Sequence, residues 1–462
     1  MDDYVALRPH QRDPVHVFFS YLAAAVCVQQ GTDCPVQTAA WWEAALRQLT
    51  DGDGPWMLAT EDWTRPAFLQ AAIPPGEVAE ARSKPLAYAV DLLDPFFTGT
   101  AHAVKPQRMM AAPPDVYVYG LVTLQTTAAF GGNSHHGASR VPGSGRLFVE
   151  VVRSARPGLR WQDAVTRLLA YRPTLLSADY PFQDGGAVAL WARAWAPGES
   201  LPLSALDPFY LDFARLVRLD PEGGIARLVR KHRWIAENRQ RLGPQADPWT
   251  PVMEKGGPDA KRLAPVAMPD HWFSADLLRR LIFGDRIILS PLHQPHPTWT
   301  GSPTLLVSGV ARSPGKTAGF HQVAVPLPAA TTGWFLVRPP EAPNPWSTLS
   351  QDLINKARGF TAALEQALKT LAPDKSRRPL VSRACATWEA WWQQQLWPWL
   401  WTVTDPSPGP ALAAWANHLA PEAERLFAET AAGIPHWSSH AWESRTHAHR
   451  DFQNAMTRLR RS

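Results

Sequence analysis

The spacing of apolar residues predicts a buried helix near the start of the chain. Over residues 14–29 apolar side chains recur at intervals of three and four, as along one face of a helix; they are Val15, Phe18, Phe19, Leu22 and Val26. Helical patterns also cover 37–49 and 80–93. Apolar runs bounded by Gly or Pro at 147–152, 187–191 and 304–309 predict strands. The first two-thirds of the chain is therefore expected to mix helices and strands with long loops.

A proline-dense stretch separates this part from a helical one. Six prolines lie between Pro326 and Pro345, and because proline lacks a backbone N–H, no long regular element is expected there. Helical patterns then cover 347–371, 380–403, 409–431 and 438–460. Ser347 is expected near the first N-cap, and Pro398 is expected to kink or shorten the second helix.

These patterns together predict the fold class. Four helices with short connections indicate an antiparallel four-helix bundle. The predicted class is α+β: a large mixed N-terminal domain with long loops over 1–335, followed by a C-terminal four-helix bundle over 346–462.

The second of these helices has an aromatic stripe at helical spacing. Its members are Trp388, Trp391, Trp392, Leu396 and Trp399. Such a stripe is either bundle core or a docking face for another protein.

Composition narrows the class of protein. The 462 residues include 45 prolines, 22 tryptophans and 29 glycines without a short repeat, which excludes a collagen, a linker chain and a solenoid. Three cysteines are too few for a disulfide framework or a four-cysteine zinc site. The first residues lack a signal peptide's basic segment, and the early apolar run at 15–28 is shorter than the ~20 residues of a membrane helix. We therefore expect a cytoplasmic protein with no membrane partner.

Positive charge is modest but concentrated. The formal net charge is +5, and the stretch 227–262 alone holds nine basic and four acidic residues. It is either a solvated helix face with a loop or a cationic surface for a partner.

A glycine–lysine segment at 309–317 resembles a phosphate-binding loop with the wrong spacing. Five residues separate Gly309 from Gly315, where the phosphate loop has four, and strand-like residues follow where that loop needs a helix. A β-hairpin with residues 312–316 at its tip fits better. A rigid hairpin with a cationic tip suits contact with a nucleic-acid duplex.

A second glycine-rich segment, 130–140, follows an apolar helical run at 116–129. Paired glycines let a backbone approach a ligand closely, and Asn133, Ser134, His135, His136 and Arg140 supply donors for phosphate or a base edge. The alternative is an ordinary helix C-cap and turn.

Histidines give weaker signals. His293 and His296 lie in a proline-bracketed loop, and His436, His440, His447 and His449 crowd the last helix. Histidines at i, i+4 can ligate a metal, but a solvated face is the commoner arrangement. No nucleophile–base or paired-carboxylate arrangement stands out, so we expect no metal, no cofactor and no catalytic residues.

In their order along the chain these segments resemble the large CasA-type subunit of the type I-E CRISPR Cascade surveillance complex. The similar segments are the early helix at 23–29, the loop at 101–108, the helix and glycine loop at 122–140, the blocks at 191–195, 206–210 and 215–219, the hairpin at 305–323 and the terminal bundle.

The resemblance implies a non-catalytic subunit that reads the protospacer-adjacent motif on double-stranded DNA, wedges the duplex open and promotes R-loop formation. The glycine loop at the minor groove corresponds to Gly131, Gly132, Asn133, Ser134 and His135. The wedge corresponds to Arg312, Ser313, Pro314, Gly315 and Lys316. First-loop nucleic-acid contacts correspond to Lys105, Gln107 and Arg108. The family's lysine finger has no lysine counterpart here, and the nearest candidates for a minor-groove finger are Arg279, Arg280 and Arg286.

The implied partners are the other Cascade subunits (backbone, small helical and guide-handle-binding), the CRISPR guide RNA, the double-stranded target DNA and, as an open question, a helicase–nuclease. The wedge of the family carries a glutamine, whereas this tip reads Ser313-Pro-Gly-Lys316, so the motif preference can differ. The alternative function is a metal-dependent nuclease or phosphohydrolase that uses the C-terminal histidines or the segment 309–317.

Overall fold

A computed structural model describes most of the chain. The described residues are 7–94, 112–127, 139–140, 145–177, 180–194, 201–227, 247–255, 262–269, 272–296, 298–313, 316–329, 344–372, 378–434 and 438–461. They form two compact units: Met1–Trp272 with Arg286–Ala324, called unit 1, and Phe273–Asp285 with Val325–Ser462, called unit 2. The predicted α+β class, with helices at the C-terminus, is confirmed.

The helices of unit 1 in the described residues are α1 (Arg12–Gln29), α2 (Ala39–Thr50), α3 (Val78–Arg82), α4 (Pro114–Thr127) and α5 (Pro157–Leu175). The predictions for α1 and α2 are confirmed. The predicted helix over 80–93 is wrong, because α3 ends before Lys84-Pro85 and only a 3-10 turn follows at Val90–Leu92. Proline disfavours helical backbone in the residue before it, which explains the break.

The strands form three small sheets in the described residues. They are β1 (Leu147–Val152), β2 (Val217–Leu219), β3 (Ile225–Arg227), β4 (Val252–Lys255), β5 (Arg262–Pro265), β6 (Ile287–Ile288), β7 (Thr304–Ser313) and β8 (Lys316–Pro326). The sheet orders are β1-β7-β8, β2-β3 and β5-β4-β6. The strands predicted at 147–152 and 304–309 are confirmed.

The strand predicted at 187–191 is wrong. Only an isolated bridge joins Ala187 to Leu206, and a 3-10 turn occupies Leu190–Ala192. The Trp191 side chain is fully buried, and its Nε1 donates to the Pro55 carbonyl at 2.9 Å. The apolar run therefore serves side-chain packing and forms no ladder.

Helix α1 lies at the centre of unit 1. It packs against α2, α4 and α5, and Val15, Ala24 and Val26 have no exposed surface. A helix that is buried on nearly all sides needs apolar residues on nearly all sides, which is why the run at 15–28 resembles a short membrane segment in hydropathy. None of the helices in the described residues is both long and apolar enough to cross a membrane.

Unit 2 contains α6 (Ala275–Phe283), α7 (Pro345–Leu371), α8 (Arg378–Leu400), α9 (Pro408–Ala432) and α10 (Ser439–Arg461). Helix α7 packs against the other three long helices and against α6, so the predicted four-helix bundle is confirmed. The N-cap of α7 is Asn344, which accepts from the Trp346 N–H at 2.9 Å, and not Ser347. Helix α8 passes through Pro398 and ends two residues later.

The aromatic stripe of α8 forms bundle core. Trp388, Trp392 and Leu396 are buried, and Trp391 and Trp399 are half-buried. The Trp388 Nε1 donates to the Thr361 hydroxyl on α7 at 2.9 Å. The core interpretation is therefore the correct one for this stripe.

Candidate nucleic-acid interface

The segment 304–326 is a β-hairpin. Strands β7 and β8 are hydrogen-bonded neighbours joined by only two residues, a connection that antiparallel strands alone can make. Strand β1 pairs with β7 from Val152↔Thr304 to Leu147↔Gly309. Residues 310–313 thus continue four residues past the β1 pairing, or ~13 Å. A strand stands where a phosphate-binding loop requires a helix, so that alternative for 309–317 is wrong.

Three of the five predicted wedge residues are described, and they lie at the outer end of this hairpin. Ser313 ends β7 and Lys316 begins β8, with Arg312 one position before Ser313. Pro314 and Gly315 lie outside the described residues. The assignment of these five positions as a wedge stays a prediction.

The root of the hairpin is tightly held at Gly309. A Cβ added there would lie 2.9 Å from the Arg146 carbonyl oxygen and 2.6 Å from Met268 Sδ. One residue before, the Ser308 hydroxyl donates to the carboxylate of Asp13, which also pairs with Arg160 at 2.7 Å. The close approach explains why glycine occupies position 309.

The predicted glycine loop, Gly131 to His135, lies outside the described residues. The structure does describe residues on either side of it. Helix α4 ends at Thr127, and Arg140 lies where the chain returns. The Arg140 guanidinium donates to the carbonyls of Tyr210 and Pro208, each at 2.7 Å, and stacks 3.5 Å from the Tyr210 ring centroid. Arg140 is 1% exposed. Its prediction as a donor for phosphate or a base edge is therefore wrong, because its side chain is enclosed by protein.

Arg140 belongs to a buried charge cluster, here called the anchor cluster: Arg140, Arg146, Asp212 and Asp247. Arg146 donates to both carboxylate oxygens of Asp247 at 2.8 and 2.7 Å, and to Asp212 at 3.3 Å. Arg146 also donates to the Thr126 carbonyl at 3.1 Å, in the last turn of α4. The cluster therefore contacts both flanks of the glycine loop.

Burial and charge oppose each other on the two acids. Burial alone raises the pKa of a carboxyl group. For Asp247 the charge and hydrogen bonds of Arg146, with a hydrogen bond from Thr250, lower the pKa below its ordinary value. For Asp212 burial prevails over the charges of Arg140 and Arg146, and the pKa is raised.

The remaining predicted nucleic-acid contacts have varied surroundings. Lys105, Gln107 and Arg108 lie outside the described residues. In unit 2, Arg279 is buried and donates to the Ser347 hydroxyl at 2.8 Å and to Asp285 at 2.7 Å.

The other two finger candidates differ from Arg279 in exposure. Arg280 is half-buried, whereas Arg286 is exposed and has a positive φ of 55°. Internal partners thus hold Arg279, while Arg286 has the exposure that a minor-groove finger needs. The finger assignment itself stays a prediction.

The histidines do not assemble a metal site in the described residues. His293 is buried, and its Nδ1 accepts from the Ser290 N–H at 3.0 Å, while His296 contacts Thr298. His440 and His447 are exposed on α10. No group of three His, Cys, Asp or Glu side chains in the described ranges is placed to hold a metal ion, so the alternative of a metal-dependent nuclease gains no support there.

Sequence reasoning missed the buried charges of unit 1. Besides the anchor cluster, Glu150 lies in the middle of the fully buried β1 and accepts from Arg160 at 2.7 Å and Arg167 at 3.3 Å. Burial raises its pKa, but the charge of Arg160 lowers it well below the ordinary value. The available signal was a single acid inside the run Leu-Phe-Val-Glu-Val-Val, since an acid is rarely buried without a partner.

Comparison with known proteins gives matches by structure alone. No protein-family profile and no curated protein matches the sequence. The CasA crystal structure from Thermus thermophilus is similar with TM-score 0.59 and 12% identity, over 98% of this chain and 92% of that one. Cse1 from Thermobifida fusca gives TM-score 0.59 and 13% identity over 100% and 93%. The CRISPR-associated protein Cse1 from Acidimicrobium ferrooxidans gives TM-score 0.58 and 14% identity over 98% and 91%.

At these identities the likeness is one of fold, and it spans both units. The resemblance expected from the ordered segments of the sequence is confirmed at that level. The chain has the CasA/Cse1 fold.

Proposed function

We propose that the chain is the large subunit of an RNA-guided CRISPR surveillance complex of type I-E, in which it recognises the protospacer-adjacent motif on double-stranded DNA. The observation that carries the proposal is the CasA/Cse1 fold over nearly the whole chain. Two of the segments that the sequence assigns to DNA contact, the glycine loop and the wedge hairpin, adjoin described elements of unit 1.

The hairpin is suited to opening a duplex. Its outer part is a hydrogen-bonded pair of strands that continues four residues beyond β1, and its tip carries Arg312 and Lys316. Unstacking one base step costs a few kcal/mol, so the wedge must not bend when it is pressed against the duplex. The root of the hairpin at Gly309 is closely packed against Arg146 and Met268, which gives the proposed wedge a fixed base.

The glycine loop is the proposed reader of the motif. Gly131 and Gly132 carry no Cβ, so their backbone can lie against the minor groove, where Asn133, Ser134 and His135 supply hydrogen-bond donors and acceptors. Once the motif is bound and the adjacent pairs are open, guide RNA pairing replaces DNA pairing at nearly balanced free energy. The protein's task is therefore to start the exchange, without chemistry on the DNA, so the proposed subunit is non-catalytic and uses no cofactor.

The proposed partners follow from this role. They are the other Cascade subunits, the CRISPR guide RNA and the double-stranded target DNA. Lys105, Gln107 and Arg108 are proposed to contact guide RNA, DNA or a neighbouring subunit. Arg286 is the proposed finger among the three candidate arginines, because it is the exposed one.

The test uses the assembled complex with its guide RNA. The probe is a pool of duplexes that carry the guide-matched target beside a short randomised segment, and bound duplexes are sequenced. Replacing residues 313–316 by a Gly-Ser linker is expected to abolish enrichment of any motif. The matched control replaces residues 51–54, an exposed turn after α2 in the same unit, by the same linker and is expected to keep the enrichment. Full motif enrichment without the hairpin tip would contradict the wedge assignment.

A further inference from the structure

Arg218, in the middle of β2, is a buried cation without a counterion. The residue has no exposed surface. Its Nη1 donates to the carbonyls of Gln70 at 3.3 Å and Ala71 at 3.2 Å. Its Nε and Nη2 are buried and have no hydrogen-bond partner in the described residues. Charged side chains are almost never fully buried unless they are paired, so Arg218 departs from the usual arrangement.

The other buried arginines in the described part of the chain all have a carboxylate partner, at distances from 2.6 to 3.6 Å. The pairs are Arg140–Asp212, Arg146–Asp247, Arg167–Glu150, Arg172–Asp207 and Arg279–Asp285. Taking a charge out of water without a partner costs several kcal/mol. The fold therefore compensates its buried guanidinium groups at these five sites and leaves one group uncompensated at Arg218.

The acid whose charge acts on Arg218 is Asp62, and its carboxylate is engaged elsewhere. Oδ1 accepts from the Thr64 N–H at 2.9 Å and from the Thr64 hydroxyl at 2.6 Å, and Oδ2 lies 3.5 Å from Arg65 Nε. The Asp62 side chain is 52% exposed, so water screens its charge. Burial prevails over this acid and lowers the pKa of Arg218 to about 10. At neutral pH the group is still protonated.

The two vacant donors lie on the same edge of the guanidinium group. Nε and Nη2 present parallel N–H bonds, the geometry that holds two oxygens of one oxyanion, and the bonds from Nη1 fix the opposite end. A water molecule would accept a hydrogen bond there but would leave the charge uncompensated.

A second cation strengthens the demand for negative charge near Arg218. The guanidinium carbon of Arg82 lies 5.2 Å from the centroid of the Trp63 ring, and that of Arg218 lies 5.9 Å from the same ring. Arg82 is exposed, and its charge contributes to the lowered pKa of Arg218. An anion bound to Arg218 would offset this repulsion as well as the burial of the charge.

We propose that the Nε–Nη2 edge of Arg218 binds one small inorganic oxyanion of the phosphate type, which supplies the missing negative charge and stabilises unit 1. A nucleotide or a peptide does not suit a side chain that has no exposed surface, and this limits the ligand to a small ion. The site belongs to the chain itself and is independent of the proposed function.

The test measures how phosphate changes the unfolding of the full chain, at constant ionic strength balanced with sodium chloride. Urea-dependent thiol labelling reads unit 1 at the buried Cys27 and unit 2 at Cys385. For one site that only the folded state holds, a tenfold rise in phosphate above the dissociation constant lowers the unfolding constant about tenfold. This response is expected at Cys27 through the millimolar range. At Cys385 only the smaller, general effect of a stabilising salt is expected.

The discriminating variant is Arg218→Met, which keeps a long side chain but removes the charge and the paired donors. It is expected to abolish the phosphate response at Cys27. The matched control is Arg65→Met, the same substitution at a side chain that is 79% exposed and lies beside Asp62. Because it leaves Arg218 intact, the control is expected to keep the full response.

Every outcome decides for or against the site. No phosphate response at Cys27 in the unmodified chain overturns the proposal, and so does an equal response at Cys385. A response that persists in Arg218→Met marks an adventitious ion only, and a response lost in Arg65→Met as well places the ion at the surface; both overturn the assignment to Arg218. Should Arg218→Met not fold, Arg218→Gln keeps N–H donors without the charge, and a full response in that variant overturns the proposal.

Discussion

Replacing Gly309 by alanine tests the packing at the hairpin root. The added Cβ would lie 2.9 Å from a backbone oxygen and 2.6 Å from Met268 Sδ. Met268 is buried, and Arg146, to which the oxygen belongs, is fixed by its bonds to Asp247. Overpacking of this kind costs about 1–3 kcal/mol, while the reduced freedom of the unfolded chain returns about 0.4–1 kcal/mol. From the midpoints of these two ranges, ~2 and ~0.7 kcal/mol, the expected net loss is about 1.3 kcal/mol.

The three cysteines allow this loss to be measured unit by unit. Cys27 is buried in α1 of unit 1, Cys385 is half-buried in α8 of unit 2, and Cys34 is exposed. Brief thiol labelling in increasing urea, read by peptide mass spectrometry, reports unit 1 at Cys27 and unit 2 at Cys385. Cys34 is labelled throughout and serves as the internal reference. With an m-value of about 3 kcal/mol per M, the Cys27 midpoint is expected to fall by about 0.5 M.

The matched control is Gly54→Ala, whose added Cβ meets no atom within 4 Å and whose φ is not positive. This variant is expected to leave the Cys27 midpoint unchanged or to raise it slightly. The reasoning is refuted if Gly309→Ala behaves like Gly54→Ala, or if the midpoint of Cys385 moves as far as that of Cys27.

Three further predictions address pH, the bundle core and DNA contact. Burial lowers the pKa of His293 from 6.5 to about 4, so the folded chain holds the ring neutral while the unfolded chain protonates it below pH 6.5. This difference leaves the free energy of unfolding unaffected above pH 6.5 and lowers it by up to about 3 kcal/mol as the pH falls to 4. In His293→Asn the free energy of unfolding from urea titration should therefore depend less on pH between 6.5 and 4, and an unchanged pH dependence would count against the prediction. Trp388→Ala should lower the free energy of unfolding, measured by urea-dependent labelling of Cys385, by about 3–5 kcal/mol because the ring is fully buried. Trp442→Ala, at a residue 57% exposed, should lower it far less, and equal losses would contradict the core assignment. If the Lys316 side chain contacts a phosphate, Lys316→Ala in the assembled complex should make the plot of log binding constant against log salt concentration shallower by about 1. An identical slope would exclude the contact.

Local periodicity was enough to predict the elements that packing reinforces. The prediction of β1 at 147–152 matches the observed bounds, and all four bundle helices begin and end within three residues of their predicted limits. Each of these elements has an apolar pattern that agrees with its burial. The segments at 80–93 and 187–191 failed because a proline and a single buried tryptophan, respectively, decided the backbone there.

The buried charge cluster around Arg146 could not be predicted from the sequence, for a different reason. Arg146 meets Asp247 across 101 positions and Asp212 across 66, and nothing local selects these acids among the 41 of the chain. Arg140 illustrates the error that follows. Beside glycines and histidines it resembles an exposed donor, yet tertiary packing places two carbonyls and two aromatic rings around its guanidinium.

Unit 2 is formed from two separate segments of the chain, which restricts where the bundle can be exchanged between related proteins by recombination. The chain passes from one unit to the other three times, after Trp272, after Asp285 and after Ala324, because α6 belongs to the bundle although it precedes β7. A recombination point in the proline-dense stretch would import α7 without the helix that packs on it, and would leave Leu278, Leu281 and Ile282, which are buried in the intact chain, on the wrong fragment. A recombinant chain that is to keep the bundle intact must therefore take residues 273–285 and residues 325–462 from the same parent.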